Sequence, residues 1–395
     1  MGTTEKKHSL LSPSSAHRWL ECTPSACAEV AYPDESSPYA LEGTLAHACA
    51  ACETLCAIGR GNSAQATECR KEVEELAPQV DGGVTDEMIE HARAYAETVR
   101  RVYKAEREEA TRPERVEVHI ETHLDIDAWA HGTGGTADAI VVGENRLHVI
   151  DFKYGRGVRV EAKGNPQMRM YALGALDEFG VERDIQEVSM HIIQPRLNAN
   201  TSDMMTVDEL LDWGTETLRP LSEVARRGLG VRKSGEWCRF CKDKGACPAI
   251  DAAVVQASTL TLDRQDARSL GETCLPLIPA LEMWIETARR NAMTMMLQGS
   301  DVPGYKMVRK RSLRRISDPA TAINLLKGAG YTDDQILKPG TLKALGELER
   351  LVGKKELADM CGPLIVKPEG ELTIAADSDR RPTENGGGYF AGIEY

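Results

Sequence analysis

The chain has no run of about 18 apolar residues, the length a membrane-spanning helix needs, so no membrane span is expected. Its opening residues, MGTTEKKHSL, contain no apolar stretch of the kind a secretory signal requires, and the simplest compartment is the cytoplasm. Positive charge is in deficit too. Lys and Arg number 48 against 61 Asp and Glu, a net charge of −13. That excludes a protein that coats nucleic acid by bulk charge, but not an enzyme that grips DNA through a local basic channel. Internal repeats are absent. What the chain has in excess is cysteine: eleven, of which Cys22, Cys27, Cys49, Cys52, Cys56 and Cys69 lie early, Cys238, Cys241 and Cys247 together, and Cys274 and Cys361 apart. In a reducing compartment such residues are ligands or buried thiols more often than disulfides. At 395 residues, 42% hydrophobic and 28% charged, the chain is long enough for two or three domains with a real core.

Periodicity gives a coarse map. Ser14 or Ser15 can cap a short helix that buries Trp19 and Leu20, and small apolar residues from Leu41 to Ile58 predict a second helix. A charged helix over 86–110 carries one apolar stripe through Met88, Ala92, Tyr95, Val99 and Val102. Val116, Val118 and Ile120 then alternate with Glu117, His119 and Glu121, which predicts a half-buried strand. Two more strands are expected at Thr136–Val142 and Arg146–Phe152, joined by a turn at Glu144-Asn145. Asn165 and Pro166 start a helix to about Phe179, and a fourth strand covers Val188–Ile193. A helix is expected from about Leu275 to Leu297, with others near 319–327 and 340–361. The tail after Pro368 is polar and reads as flexible.

Chemistry concentrates where Gly135-Thr-Ala-Asp138 is followed by Asp151-Phe-Lys153. Asp138 is expected to open one strand and Asp151 to end the next, so both carboxylates reach one sheet edge. Oxygen ligands of this kind suit Mg²⁺ or Mn²⁺. Lys153, two residues beyond Asp151, points to the same face of a strand and can orient water and help deprotonate it. Taken alone, Asp-x-Lys is a common surface ion pair. Two further features lie around it. His47 ends Glu42-Gly-Thr-Leu-Ala-His47 on a helix, and Gln167 and Tyr171, four apart, share one helical face after the lysine, where they can meet DNA or brace Lys153.

In that order these elements resemble the RecB-like branch of the PD-(D/E)xK nucleases, over roughly residues 12–250. The resemblance implies an αβββαβ core, a mixed sheet flanked by helices. It implies catalytic roles for Asp138, Asp151, Lys153, Gln167 and Tyr171, and a Mg²⁺ or Mn²⁺ site of His47, Asp138, Asp151 and Phe152. Glu117 and Glu121 are weaker candidates: either can point into the site from the first strand, but solvated strand positions are expected for both.

Cys238, Cys241 and Cys247, with Cys22 as a fourth thiol, are similar in arrangement to the CRISPR-associated RecB-like exonucleases and the AddB-type nuclease domain. There one N-terminal and three C-terminal cysteines hold a 4Fe–4S cluster, and Cys₄ ligation with a following proline suits such a cluster. A structural Zn²⁺ takes the same ligands, and spacing does not separate the two. Cys49, Cys52 and Cys56 lie on the helix of His47 and are expected to be buried thiols rather than ligands.

Arg156, Arg159, Lys163 and Arg169 are the candidate DNA contacts. The run Lys306–Arg315 holds six basic residues and no acid, and reads equally as a second phosphate surface or as a solvated strand. The C-terminal portion resembles a phage-associated domain family of unknown function. Together these readings describe an α/β chain: a nuclease domain over 1–250 with a helical N-terminal region, a helical connector over 251–300, a small α/β appendage over 301–368 and a tail over 369–395. The expected activity is a metal-dependent DNA exonuclease in phage replication or recombination, in the host cytoplasm. DNA ends are its substrate, and a phage single-strand-binding or recombination protein, or a second copy of the chain, are candidate partners. The alternative is a non-catalytic DNA-binding or scaffold module with a structural metal cluster.

Overall fold

The computed structural model describes residues 9–33, 37–261, 266–338 and 341–384. It is an α/β structure dividing into two compact units at Trp284/Ile285. Unit 1 begins with two single-turn helices, α1 (Ala16–Trp19) and α2 (Ser25–Ala28). Three longer helices follow: α3 (Pro38–Ala57), α4 (Ala64–Leu76) and α5 (Asp86–Glu109). Each is started by a hydroxyl cap that accepts from a backbone N–H three residues on: Ser37 from Ala40, Ser63 from Ala66, Thr85 from Met88.

The sheet is mixed and five-stranded, in the order β1 (Glu117–Asp125), β2 (Gly134–Val142), β3 (Arg146–Phe152), β4 (Glu187–Gln194), β5 (Ala199–Thr206). Only β3 and β4 run parallel. Their crossover carries α6 (Pro166–Phe179), which Asn165 starts by accepting from the N–H of Gln167 and Met168. A parallel pair requires such a crossover, whereas the antiparallel pairs need only turns. Both sheet faces are covered. One face packs Ile140, Val142, Leu147 and Val149 against Met168, Met170 and Leu173 of α6. The other packs Val118, Ile120, Ala139, Val141, Ile150 and Phe152 against Leu45 and Cys49 of α3 and Tyr95 and Val99 of α5. After β5 come α7 (Val207–Trp213), α8 (Arg219–Arg226), the cysteine-bearing loop, and α9 (Pro248–Ser258).

Several expectations change. Asp138 lies inside β2 rather than at its start, because the strand begins at Gly134 in the glycine run. β5 was not anticipated. Its Asn-Thr-Ser-Asp composition reads as loop, yet an edge strand with one partner tolerates such residues, and Thr206 pairs with Glu187 at its end. The connector expected over 251–300 is not a separate body. Leu277, Ala280 and Met283 pack on residues 237–260, so the unit boundary falls within α11 (Ile278–Leu297), which follows the single-turn α10 (Ala267–Ser269).

Unit 2 packs α12 (Pro319–Gly328), α13 (Asp333–Ile336), α14 (Leu345–Val352) and α15 (Lys354–Cys361) around Leu326, Ile336, Leu348 and Leu357. The tail expected from 369 onward is corrected in part. Leu372–Ala376 forms a strand antiparallel to Tyr305–Arg309, with Ile374 opposite Met307. This short apolar stretch is hidden in a polar segment until its partner strand is known. Gly386 to Gly388, and the rest of 385–395, lie outside the described residues.

Candidate active site

Neighbouring strands deliver the acidic pair. The β2–β3 register places Ala139 opposite Ile150, so Asp138 and Asp151 are flanking positions on adjacent strands. Each carboxylate is already engaged. Asp138 Oδ1 lies 3.1 Å from His47 Nδ1, and its Oδ2 accepts from the Phe152 N–H at 2.6 Å. Asp151 is 3% exposed. Its Oδ1 accepts from Lys153 Nζ at 3.2 Å and from Gln167 Nε2 at 3.3 Å. The amide of Gln167 closes the ring by accepting from Lys153 Nζ at 3.0 Å. Asp151 Oδ2 lies 3.1 Å from Nζ but is buried without a hydrogen bond. A buried carboxylate oxygen in that state is under-compensated.

Electrostatics follow from this crowding. Burial raises the Asp151 carboxyl, with Lys153 opposing and Asp138 adding to the shift. Burial disfavours the charged form of Lys153, yet Asp151 and Asp138 outweigh it and hold the ammonium above its ordinary value. For His47, burial again opposes the charge. Asp138, then Glu121 and Asp151, overcome it and raise the imidazole to about 9. The His47 imidazole and the Lys153 ammonium are the positive charges that these carboxylates attract.

Glu121 belongs to this group. Ligand atoms of His47, Glu121 and Asp138 all lie within 4.8 Å of one another. Glu121 is exposed, as expected of a solvated strand position, yet it also lies beside His47 and Asp138. Desolvation and the Asp138 charge raise its carboxyl to about 8. Nothing in the alternation of β1 signalled this, because Glu121 shares parity with the outward Glu117 and His119. Its backbone φ of +47° is what moves it. Glu117 stays outside the site, paired with Arg183.

Tyr171 is 6% exposed and its ring packs on the glycine run. A Cβ on Gly135 would stand 3.0 Å from that ring, so the strand needs glycine there. Such burial takes the ring out of reach of DNA and leaves Tyr171 as a wall of the site. Phe152 contributes its backbone, while its side chain packs edge-on to His47 at 5.5 Å between ring centres.

A family model described as "Protein of unknown function (DUF2800)" matches residues 8–382. The chain belongs to this family. A solved structure titled "Crystal structure of SSO0001" is 15% identical over 59% of this chain and 96% of the other, with a TM-score of 0.24. At that score it carries no argument about fold or function.

In this DUF2800 chain the candidate DNA contacts divide. Arg156 is bound to Glu87 at 2.6 Å and Arg159 to Glu161 at 2.6 Å, so both charges are matched. Arg169 lies over the Trp213 ring at 5.5 Å, its Nε buried without a partner among the described residues. Lys163 is exposed and makes no ion pair among the described residues. Half of the basic run of unit 2 is matched among the described residues: Arg309 pairs with Glu369, Lys310 with Glu371, and Arg314 with Glu349.

Cys238, Cys241 and Cys247 form one buried cluster with Ile250 and Met283. Burial pushes the Cys238 thiol up, with Cys247 and Cys22 adding to the shift, and pushes the Cys241 thiol up to about 12. Cys22 is thus beside Cys238, although no three of these four thiols come within 4.8 Å of one another. Other bonds cross the same seam. Thr23 Oγ1 donates to Leu229 O at 2.7 Å, Tyr32 Oη to Asp243 at 2.9 Å, and the Lys242 N–H to Glu29 at 2.8 Å. Elsewhere, Cys49 meets Met88, Cys52 meets Cys69, and Cys56 is exposed, so these three thiols face different surroundings.

No helix among the described residues is long and apolar enough to cross a membrane.

Proposed function

We propose that the chain is a Mg²⁺- or Mn²⁺-dependent deoxyribonuclease with a RecB-like PD-(D/E)xK core. The observation that carries this reading is the convergence of His47, Asp138, Asp151, Lys153 and Gln167 on two adjacent strands and the helices beside them. A mixed nitrogen and oxygen donor set fits a divalent cation, which would bind His47 as the neutral imidazole and displace its proton. His47, Asp138, Asp151 and the backbone of Phe152 would hold it. When bound, such an ion neutralises charge growing on the scissile phosphate and makes water more acidic.

The chain's own residues do the rest. Gln167 fixes Lys153 Nζ against Asp151, so the ammonium needs no reorganisation to meet a phosphate oxygen. Because its neighbours hold the proton on Nζ, Lys153 acts as a fixed cation and proton donor before it acts as a base. Tyr171 and Phe152 exclude water from the inner side.

Cys22, Cys238, Cys241 and Cys247 fit a 4Fe–4S centre, with zinc as the alternative. Four buried thiols need a compensating cation to become thiolates, and Arg18 and Arg232 lie close by. The likeness of the C-terminal segment to a phage-associated family supports DNA ends as the substrate, in phage replication or recombination.

The test is incubation of the anaerobically purified full chain with end-labelled single- and double-stranded DNA and Mn²⁺. Release of labelled nucleotides is expected. Binding without cleavage under Mn²⁺ and Mg²⁺ would leave the non-catalytic module as the correct reading.

A further inference from the structure

Around the acidic site, Glu121 has no task in the scheme above, yet the fold goes out of its way to present it. We infer that Glu121 is a direct ligand of the divalent cation, sharing it with His47 and Asp138. This rests on the metal-dependent reading and extends it to a residue outside the Asp-x-Lys, His and Gln-x-x-x-Tyr pattern.

Three observations support it. First, the ligand atoms of His47, Glu121 and Asp138 lie within 4.8 Å of one another, and Glu121 makes no ion pair or hydrogen bond among the described residues. Asp151, 3% exposed and with Oδ2 unbonded, is electrostatically linked to the same histidine and aspartate. A carboxylate set drawn together without enough positive charge is what a divalent ion compensates.

Second, the backbone at Glu121 is held where side chains rarely go. Its φ is +47° in the middle of a nine-residue strand, a conformation costly for residues other than glycine. The strand changes phase there. Val118 and Ile120 join the core under α3 and α5, whereas Leu124 and Ile126 join the core under α6. The partner strand changes phase at the opposing position, since Ala139 and Val141 face the first core and Ala137 the second. Pairing resumes on both sides, with Ile120 opposite Ala139 and Thr122 opposite Ala137. Glu121 and Asp138 thus share one local twist that turns both carboxylates toward His47.

Third, the twist is braced from outside. β1 is an edge strand, and its free carbonyls are taken up by the α3–α4 region. Arg60 donates to Val118 O at 2.9 Å and Gln65 to Ile120 O at 2.8 Å. One nitrogen and two carboxylates suit Mn²⁺ better than Mg²⁺, which prefers an all-oxygen, largely hydrated shell.

Mn²⁺ itself is the probe. Free Mn²⁺ is followed by its paramagnetic resonance signal while the full chain is titrated, for wild type, Glu121→Gln, Glu121→Gly, Asp138→Asn and Glu117→Gln. Affinity is expected to fall about tenfold or more in both Glu121 variants, comparably to Asp138→Asn, and to stay within about twofold for Glu117→Gln. Glycine accepts φ near +47° without strain, so Glu121→Gly should melt no lower than wild type while losing Mn²⁺. That separates lost ligation from misfolding. Wild-type affinity in Glu121→Gln and Glu121→Gly, with Asp138→Asn impaired, overturns the inference and leaves the nuclease reading standing. Absence of Mn²⁺ binding by the wild-type chain overturns both.

Discussion

In the acidic site Asp138, Asp151, Lys153 and Gln167 are bonded to one another or to their neighbours, while in the cysteine seam the thiols make few close polar contacts. Asp138 uses both oxygens, and Asp151, Lys153 and Gln167 close a ring of hydrogen bonds on a rigid sheet. Cys238 makes a 3.7 Å contact to Lys233 O, and Cys247 a 3.8 Å contact from Arg232. The chain separations differ too. Asp138 and Asp151 sit on strands joined by a tight turn, whereas the seam ties Thr23 to Leu229 and Tyr32 to Asp243. A site preorganised by its own bonds keeps its shape without a cation. A seam between distant segments gains folding free energy from whatever bridges it. On the proposed reading, chemistry belongs to the first region and stability to the second.

The strongest way to break that contrast is to remove one carboxylate charge. Asp151→Asn keeps the shape and leaves Lys153 and Gln167 a partner. On the proposed reading, metal-dependent cleavage falls about 10³-fold or more, while the melting temperature holds or rises, because burial already disfavours this charge. Large unfolding with intact specific activity in the folded fraction would invert the assignment. Cys241→Ser is the counterpart. A bridge between segments this far apart in sequence is worth on the order of 3–4 kcal/mol, so the variant should melt well below wild type. Surviving soluble protein should still bind Mn²⁺. Iron, sulfide and zinc analysis of the anaerobic wild-type chain tests whether the seam holds such a bridge and which one.

How far the sequence revealed each region follows from the same physics. Local signals were readable: Asn165 and Pro166 start α6 as expected, and the alternation of Val116, Val118 and Ile120 marks β1. Asp138, Asp151, Lys153, His47 and Gln167 were named together, and the structure brings them together. Glu121 was set aside because alternation is a rule for regular strands, and a single positive φ breaks it. β5 was missed because its polarity belongs to an edge with one partner, not to a loop. For Tyr171 the helical spacing leaves open contact with DNA or bracing of Lys153, because spacing gives the face but not the depth of burial, and the ring is 6% exposed. The matched charges of Arg156 and Arg159 depend on Glu87 and Glu161, and the Arg156 partnership spans distant sequence that no local pattern reports.

A smaller effect sharpens the chemical side. Gln167→Ala removes the clamp on Lys153 but no charge. Cleavage should fall about 10–100-fold, the usual cost of losing an orienting partner, with Mn²⁺ affinity within about twofold of wild type. Gln167→Glu should restore part of the rate, because a carboxylate can still accept from Nζ. A purely structural role for Gln167 would show instead as lost stability, with neither the rate split nor the rescue.

The smallest change tests whether the seam is held by ordinary hydrogen bonds or by its bridge. Thr23 is 7% exposed, and its hydroxyl donates to Leu229 O. The backbone beyond is shaped around it. Gly230 has φ +102°, and a Cβ there would run into the Thr23 hydroxyl. Thr23→Val keeps the volume and leaves the Leu229 carbonyl without this donor, a loss of about 1 kcal/mol. If the thiols and their bound group set the geometry, that loss should appear in loaded protein and vanish after chelation. Stripping would open the seam, and the hydroxyl would have nothing left to bind. Equal losses before and after chelation would show that hydrogen bonds close the seam by themselves. The cysteines would then be packed thiols, with their stabilising role reduced to that of any small buried side chain.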